Sequence, residues 1–330
     1  MRRLIAAIAF LALVAVAVVA AWRWLSANYV APGPAPAAAT VIVPKGAHLS
    51  EIAELVAKAG AIDSPRLLVI ETVLAGNPTL KAGEFALSPH ASMAAIVDIL
   101  HRGLVVEHKL TIAEGLTVRQ VIALVEHAEA LRGGLLRNPA EGTLLPQTYF
   151  YVYDDPRDGL LSRMASAMNQ SLDTLWAARA PNLPIADKNQ ALTLASIVER
   201  ETALAAERPH IAAVYENRLR LKMKLESDPT VVYAASNGEG VLDRPISKAD
   251  LALASPYNTY LNDGLPPGPI CNPGRASIEA VLHPMASDDL YFVADGSGGH
   301  AFSRTLTQHN KNVERWRALE KNQGNGKGGG

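Results

Sequence analysis

Residues 187–202 read DKNQALTLASIVERET, and this stretch decides how the second half of the chain folds. Asp187 is a helix-capping residue type, and Gln190 stands at the third helical position, where its side chain can complete the cap. Apolar residues then recur at helical spacing, at Ala191, Leu194, Ala195 and Val198. The pattern predicts a helix from residue 187 to about residue 205, with one face turned towards a core.

The same apolar stripe leads to a carboxyl group. Its next position is Glu201, whereas Glu199 is rotated by about 200° around the helix. A carboxyl on a semi-apolar face is partly desolvated, which raises its pKa towards the range that a general acid needs near neutral pH. The pattern alone leaves an alternative open, in which Glu201 is a structural residue paired with Arg218 on the following helix.

Polar clusters downstream supply further candidates for a site. A second helix is predicted from Pro209 to about residue 224. It is followed by the turn Asp228-Pro229-Thr230, in which Asp228 is equally explained as a local cap. Loop 255–274 offers hydroxyls, amides and flat rings that suit sugars, although an ordinary long loop explains it as well. The binding candidates are Asn217, Arg218, Asp228, Tyr257, Asn258, Thr259, Asn272 and His300.

The N-terminus carries a membrane signal. The run from Leu4 to Trp22 has no charge and as a helix spans roughly 28 Å, close to the thickness of a bilayer's hydrocarbon core. Arg2 and Arg3 precede it, so the positive-inside rule keeps the N-terminus cytoplasmic and exports the rest. We predict a cytoplasmic stub over 1–3, a transmembrane helix over 4–24 and a Pro/Ala-rich linker over 25–40. The alternative is a cleaved signal peptide, with small residues near position 20 as processing sites.

The remaining chain reads as two parts. Residues 41–104 predict a small α/β module in the order strand, helix, helix, strand, helix. Residues 105–320 alternate helices, loops and short strands, which favours a mixed α+β domain. Residues 321–330 are rich in Gly and Asn and are predicted to be a disordered tail. The overall fold class is therefore α+β.

Composition argues against several classes of function. A formal net charge of -1 over 330 residues, without a long basic stretch, gives no electrostatic basis for binding nucleic acid. The single cysteine, Cys271, rules out an internal disulfide and a multi-cysteine zinc site. The histidines lack the helical spacing of a zinc motif, and neither a P-loop nor a Gly-x-Gly-x-x-Gly run is present. We expect neither a metal nor a cofactor.

Four blocks carry a family resemblance. The blocks are LTLASIVERET (192–202), ENRLRLKMKLESDPTVVYA (216–234), SPYNTYLNDGLPPGPICNPG (255–274) and HPMASDDLYFVADGSGGHAFSRTLTQHN (283–310). They closely resemble the endolytic murein transglycosylases, the YceG-like family, and the similarity covers roughly residues 41–318 in order.

The resemblance implies a single-pass inner-membrane lyase with a LysM-like module at 41–104 and a periplasmic catalytic domain. Such an enzyme cleaves between N-acetylmuramic acid and N-acetylglucosamine inside nascent strands, near the peptidoglycan synthases. It leaves 1,6-anhydro ends and so limits strand elongation. The family's catalytic glutamate, the second of the Glu-x-Glu-Thr run, corresponds to Glu201. Two departures are visible, Gln147 where the family often has Asp and Glu226 where relatives can carry Gln.

Two other functions stay open at this point. A water-using muramidase would need a second carboxylate, Asp228 or Glu226, beside Glu201. A catalytically silent scaffold that binds glycan and recruits synthases would not need an ionisable Glu201. The LysM-like module is equally compatible with glycan binding and with a simple spacer.

Overall fold

The computed structural model describes residues 1–326. These residues form helices and short strands in a mixed α+β arrangement, which confirms the predicted fold class. The helices are α1 (Arg2–Val30), α2 (Leu49–Lys58), α3 (Pro65–Leu74), α4 (Met93–Arg102), α5 (Val118–His127), α6 (Arg157–Ala177), α7 (Lys188–Glu201), α8 (Arg208–Arg220), α9 (Asp228–Ala235), α10 (Lys248–Leu251), α11 (Arg275–Leu282) and α12 (Leu306–Gly326). The strands are β1 (Ala39–Val43), β2 (Gly83–Leu87), β3 (Glu107–Thr111), β4 (Thr148–Val152), β5 (Tyr291–Ala294) and β6 (His300–Ser303).

Helix α1 is long and apolar enough to cross a membrane, and within residues 1–326 it alone meets that criterion. It extends beyond the predicted span of 4–24 and occupies the first part of the predicted linker. The reason is local, because the first proline after the apolar run is Pro32 and nothing before it breaks a helix.

The rest of the predicted linker is not a free spacer. Gly33 donates a backbone hydrogen bond to His90 at 3.1 Å, and His90 donates one to Ala35 at 2.8 Å. Tyr29, near the end of α1, packs against the core that follows. The chain therefore passes from α1 to strand β1 along a hydrogen-bonded path.

The described chain divides into two compact units, and the first comprises residues 1–108 and 150–155. After α1 its elements follow the order β1, α2, α3, β2, α4, with β1 and β2 antiparallel and Val41 opposite Phe85. Ser92 caps α4 by accepting a hydrogen bond from the Ala95 amide. Apolar side chains from the two strands and three helices form one core, in which each buried aliphatic or aromatic residue contributes roughly 1.5–3 kcal/mol.

Residues 150–155 correct the predicted boundary, which placed them with the second domain. The Tyr151 ring stacks on His108 at 5.4 Å between ring centroids, and Lys45 forms a 2.8 Å ion pair with Asp154. Because these partners are distant in sequence, the local pattern gave no sign of the contact.

The second unit comprises residues 109–149 and 156 onwards, with α7 at the centre of its core. Every residue of α7 from Ala191 to Glu199 is buried, so the predicted single apolar stripe was too narrow. Helices α6, α8, α9 and α11 pack against α7. Strands β5 and β6 form an antiparallel hairpin with Phe292 opposite Phe302.

The sequence predicts the start of α7 correctly but not where α7 and α12 end. Asp187 caps α7, as the sequence predicts, and Thr117 forms a capping box with Gln120 at the start of α5. However, α7 ends at Glu201 and does not reach residue 205. Helix α12 continues to Gly326, which differs from the tail predicted over 321–330; residues 327–330 of that tail lie outside the described residues.

Candidate active site

Glu201 is the last residue of α7, and two hydroxyl groups converge on its carboxyl. Tyr215 on α8 donates its phenolic hydrogen bond to Glu201 Oε1. Ser227, the residue before α9, donates from Oγ to the same oxygen at 2.6 Å. Hydroxyl groups from α8 and from the residue before α9 therefore hold the same carboxyl oxygen of Glu201.

The surroundings of Glu201 favour its protonated form. Burial raises the pKa of this carboxyl above its ordinary value, and the nearby charge of Asp228 raises it further. The hydrogen bonds from Ser227 and Tyr215 and the nearby His300 act in the opposite direction without cancelling the effect of burial. A raised pKa suits a carboxyl that holds a proton and releases it to a bound group.

Tyr215 is suited to be a permanent donor. Its side chain is 1% exposed, and burial followed by the adjacent Glu201 charge raises its pKa well above the ordinary value. The ring packs edge-on against Phe292 with 5.7 Å between centroids, which fixes the direction of its hydroxyl.

Glu201 lines two cavities. One has a volume of about 230 Å³ and the other about 300 Å³. The lining of the first includes Tyr215, Arg218, Glu226, Asp228, Tyr260, Phe292 and His309. The lining of the second includes Thr202, Ala294, Gly296, Gly299, His300 and Trp316. Glu201 is the residue that these two linings share.

The first cavity holds two more carboxylates, each with a partner. Asp228 accepts a 2.7 Å hydrogen bond from the Tyr260 hydroxyl. Glu226 forms a 3.2 Å ion pair with Arg218, and its backbone has a positive φ of 49°. This side of the site is therefore acidic and rich in hydrogen-bond acceptors.

His300 lines the second cavity, and a carboxylate holds it in place. His300 Nδ1 lies 2.7 Å from Glu207 Oε2, and the His300 amide donates to Glu207 Oε1 at 2.8 Å. Thr202 donates from Oγ1 to the same carboxylate at 3.2 Å. Although partial burial acts to raise it, the pKa of Glu207 is lowered overall by these contacts with His300 and Thr202. Glu207 therefore stays ionised and holds His300 in place.

The structure brings three of the eight predicted binding residues to these cavities, namely Arg218, Asp228 and His300. Arg218 is 8% exposed, and its guanidinium donates hydrogen bonds to the carbonyls of Leu225 and Leu290. Its guanidinium is thus mostly occupied in shaping the cavity wall.

The other five predicted binding residues are not among the lining residues described for the two cavities, and four of them are held by internal hydrogen bonds. Asn217 donates to the carbonyls of Ser287 and Asp289. Three more residues of that group are buried, namely Asn258, Thr259 and Asn272. The side-chain amides of Asn258 and Asn272 donate to backbone carbonyls at 2.9–3.0 Å.

Thr259 and Tyr257 have different surroundings. Thr259 Oγ1 accepts from the Ser227 amide at 3.0 Å, so it supports a residue that contacts Glu201. Tyr257 packs against Tyr233 with 4.9 Å between ring centroids. We expected loop 255–274 to contact sugar directly. The polar side-chain atoms of Asn258, Thr259 and Asn272 are instead hydrogen-bonded within the protein, where they support neighbouring segments.

The surroundings of Glu199 also differ from those that the sequence predicts. We predicted that it faces away from the helix stripe, but it is 9% exposed and forms a 2.9 Å ion pair with Arg208. It accepts a second hydrogen bond from the Gly274 amide at 2.8 Å. The structural glutamate paired with arginine, which the pattern offered as an alternative for Glu201, is therefore Glu199.

Sequence reasoning missed several residues around Glu201. Ser227 lies inside one of the quoted family blocks and Tyr215 lies directly before that block, but neither carries a charge that would single it out. Glu207 and Trp316 lie outside those blocks, and only the fold brings them near the second cavity. Among residues 1–326, no group of three His, Cys, Asp or Glu side chains is placed to hold a metal ion.

Comparison with known proteins gives consistent matches over most of the chain. The sequence profile of the YceG-like family matches residues 41–315. An endolytic murein transglycosylase of Bacillus subtilis is 32% identical over 306 residues, which covers 83% of each chain. An endolytic murein transglycosylase of Streptococcus pneumoniae is 29% identical and covers 83% of this chain and 57% of its own.

A solved structure agrees with these matches. The crystal structure of a yceG-like protein from Listeria monocytogenes superposes with a TM-score of 0.53 at 30% identity, covering 83% of this chain and 98% of that one. With the profile match spanning residues 41–315 and a relative more than 30% identical, this chain belongs to the YceG-like family.

Proposed function

We propose that this protein is a membrane-anchored endolytic murein transglycosylase that cleaves peptidoglycan strands between N-acetylmuramic acid and N-acetylglucosamine. The observation that carries the proposal is the position of Glu201, a desolvated carboxyl that accepts hydrogen bonds from two hydroxyl groups and lines two cavities. The names of the relatives in Bacillus subtilis and Streptococcus pneumoniae support the same substrate and reaction.

In the first step the protonated Glu201 donates its proton to the bridging glycosidic oxygen. The bond from that oxygen to C1 of the muramic sugar breaks, and the oxygen leaves as a hydroxyl. Positive charge develops at C1 in an oxocarbenium-like centre. The Asp228 carboxylate, in the same cavity, stabilises that charge electrostatically.

In the second step Glu201, now a carboxylate, accepts the proton of the muramic C6 hydroxyl. The freed O6 bonds to C1 and closes a 1,6-anhydro ring, and Glu201 is again protonated. Because the nucleophile belongs to the sugar itself, its effective concentration is high and no external water is required. Tyr215 and Ser227 hold the carboxyl oxygen throughout both proton transfers.

Cleavage within a strand needs room on both sides of the scissile bond. We propose that the two cavities lined by Glu201 hold sugars of the strand on the two sides of that bond. We further propose that α1 anchors the chain in the cytoplasmic membrane with the second unit on the outer side. There it would act on nascent strands beside the peptidoglycan synthases.

The experiment that tests the reaction type is digestion of purified glycan strands in ¹⁸O-labelled water, followed by mass spectrometry of the new ends. A transglycosylase gives anhydro-muramic ends without label. Labelled reducing ends, heavier by one water, would make this protein a hydrolase and move the second catalytic role to Asp228 or Glu226. Strands that bind but stay intact would instead support a glycan-binding scaffold.

A further inference from the structure

Helix α3 in the first unit buries one face and exposes an apolar face on the opposite side. At about 100° per residue, Leu68, Glu71 and Thr72 fall on one side of the helix, and all three are buried against the unit's core. The opposite side carries Ile70, Val73 and Leu74, which are 48%, 52% and 61% exposed. Such a contiguous apolar face on a folded unit marks a surface that contacts something other than water.

The position of α3 beside α1 indicates what covers this face. Helix α1 packs against both α3 and α4. Within α1, Leu25 and Tyr29 are partly covered, whereas Trp22 and Trp24 are 63% and 61% exposed. Leu25 lies only about 4.5 Å along the helix from Trp22, where the uncharged run ends. The contacts of α1 with the rest of the unit therefore begin within one helical turn of the end of the uncharged run.

We propose that the exposed face of α3 lies in the lipid headgroup region of the same membrane that α1 spans. The face is defined by Ile70, Val73 and Leu74, with Arg66 one turn before Ile70 and also exposed. The inference rests on the proposed membrane anchor and extends it from one contact to two.

Lipid is the occupant that the local chemistry fits. An interfacial helix buries its apolar side about 5–10 Å into the boundary between headgroups and acyl chains, with basic residues at the level of the phosphates. Arg66 followed by three apolar side chains on one face has that composition. The membrane also continues directly from the exposed tryptophans of α1, so no additional partner is needed. Two points of attachment would fix the tilt of the first unit on the bilayer surface.

The test uses the full chain in vesicles of phosphatidylethanolamine and phosphatidylglycerol that contain lipids brominated near the headgroup. Val73→Cys carries an environment-sensitive fluorophore on the α3 face. Ile42→Cys on strand β1 is the matched control, because Ile42 is a similarly exposed apolar residue (40%) of the same unit. The unsubstituted chain, whose Cys271 is buried, reports background labelling. Flotation with the vesicles reports the α1 anchor separately.

We expect both labelled chains to float, with bromolipid quenching the label at position 73 and leaving the label at position 42 bright. Floating chains with equal quenching at the two positions would overturn the α3 inference while leaving the anchor intact. A label at position 73 that is shielded from aqueous iodide but not quenched by bromolipid would also overturn it, because a protein would then cover the face. Chains that fail to float would refute the anchor and the inference together.

Discussion

At the scale of single residues, the proposed chemistry depends on whether Glu201 can transfer a proton. Glu201→Gln keeps the size of the side chain and can still accept from Tyr215 and Ser227. It cannot donate and recover a proton, so strand cleavage should fall by roughly 10²–10⁴-fold. Release of anhydro-muropeptides, measured beside thermal unfolding, checks the expectation. Undiminished cleavage by a correctly folded variant would remove Glu201 from the mechanism.

Glu199→Gln is the matched comparison, two residues away and equally conservative. Glu199 is buried with Arg208, so the substitution removes the charge that balances a buried guanidinium. It should lower the free energy of unfolding by about 3 kcal/mol, the lower end for breaking a buried ion pair, since Arg208 keeps Glu114. Turnover of the folded fraction should change little. Denaturant titration and activity per folded molecule separate the two effects, and a loss of turnover without a loss of stability would contradict this assignment.

Tyr215→Phe and Ser227→Ala test the pH dependence of the site. Each removes a hydrogen bond that lowers the pKa of Glu201, so that pKa should rise further. Because the reaction starts from protonated Glu201, the alkaline limb of the cleavage rate should move to higher pH in both variants. The pH profile of kcat measures the shift. An alkaline limb that moves to lower pH would mean that these hydroxyls do not act on Glu201.

The site could be predicted from the sequence only in part. Glu201 was selected from the sequence because a helical period and a family motif point to the same position, and its catalytic role stays a prediction. Asn258 and Asn272 were chosen as sugar ligands for their chemistry, yet their amides satisfy buried backbone groups. Residue type does not distinguish a polar side chain that faces a ligand from one that supports a loop. That distinction depends on which backbone groups the fold leaves unpaired.

At the scale of elements, α8 contains a buried acid with a consequence for stability. Burial raises the pKa of Glu216 from 4.5 to about 7, although Arg220 pairs with it. Between these two values the folded chain holds a proton that the unfolded chain has released. Stability is therefore greater below pH 4.5 and declines as the pH rises towards 7.

Glu216→Gln should remove this contribution. Relative to the unsubstituted chain, the variant should gain stability as the pH rises from 5 to 8, by up to about 3 kcal/mol. Urea unfolding at a series of pH values measures the difference between the two proteins. A difference that stays constant over this range would show that Glu216 does not titrate differently on folding.

Element ends show where local pattern stops being informative. The residues after Glu201 include Ala203, Leu204 and Ala205, which are all good helix formers. The sequence therefore predicts a helix to about residue 205, beyond the end of α7 at Glu201. In the structure Thr202 is extended, with φ −142° and ψ 137°. Its hydroxyl accepts from the Leu204 amide and donates to Glu207. A tertiary contact with the residues around His300 therefore outweighs helix propensity at this point.

At the scale of the whole molecule, the proposed topology makes a direct prediction. Reporter domains fused after residue 40 should be active only if they function outside the cytoplasmic membrane, because Arg2 and Arg3 hold the N-terminus inside. The protein purified from membranes should retain α1. An N-terminal sequence that begins near residue 21 would identify α1 as a cleaved signal peptide.

The order of elements was more predictable than the division into units. Strand, helix, helix, strand and helix follow one another over 39–102 because each has its own local period and turn residues. Residues 150–155 joined the first unit through Lys45 and His108, more than 40 positions earlier in the chain. Such pairings between distant segments leave no periodic signal in either one.

The end of α7 at Glu201 has one more consequence, which concerns the peptide dipoles of the helix. Aligned along the axis, they place the equivalent of about half a negative charge at the C-terminus. A carboxylate at that position is repelled by its own helix, whereas a carboxylate at the first turn would be stabilised. The backbone of α7 thus favours the neutral acid that the first proton transfer requires, independently of any side chain around it.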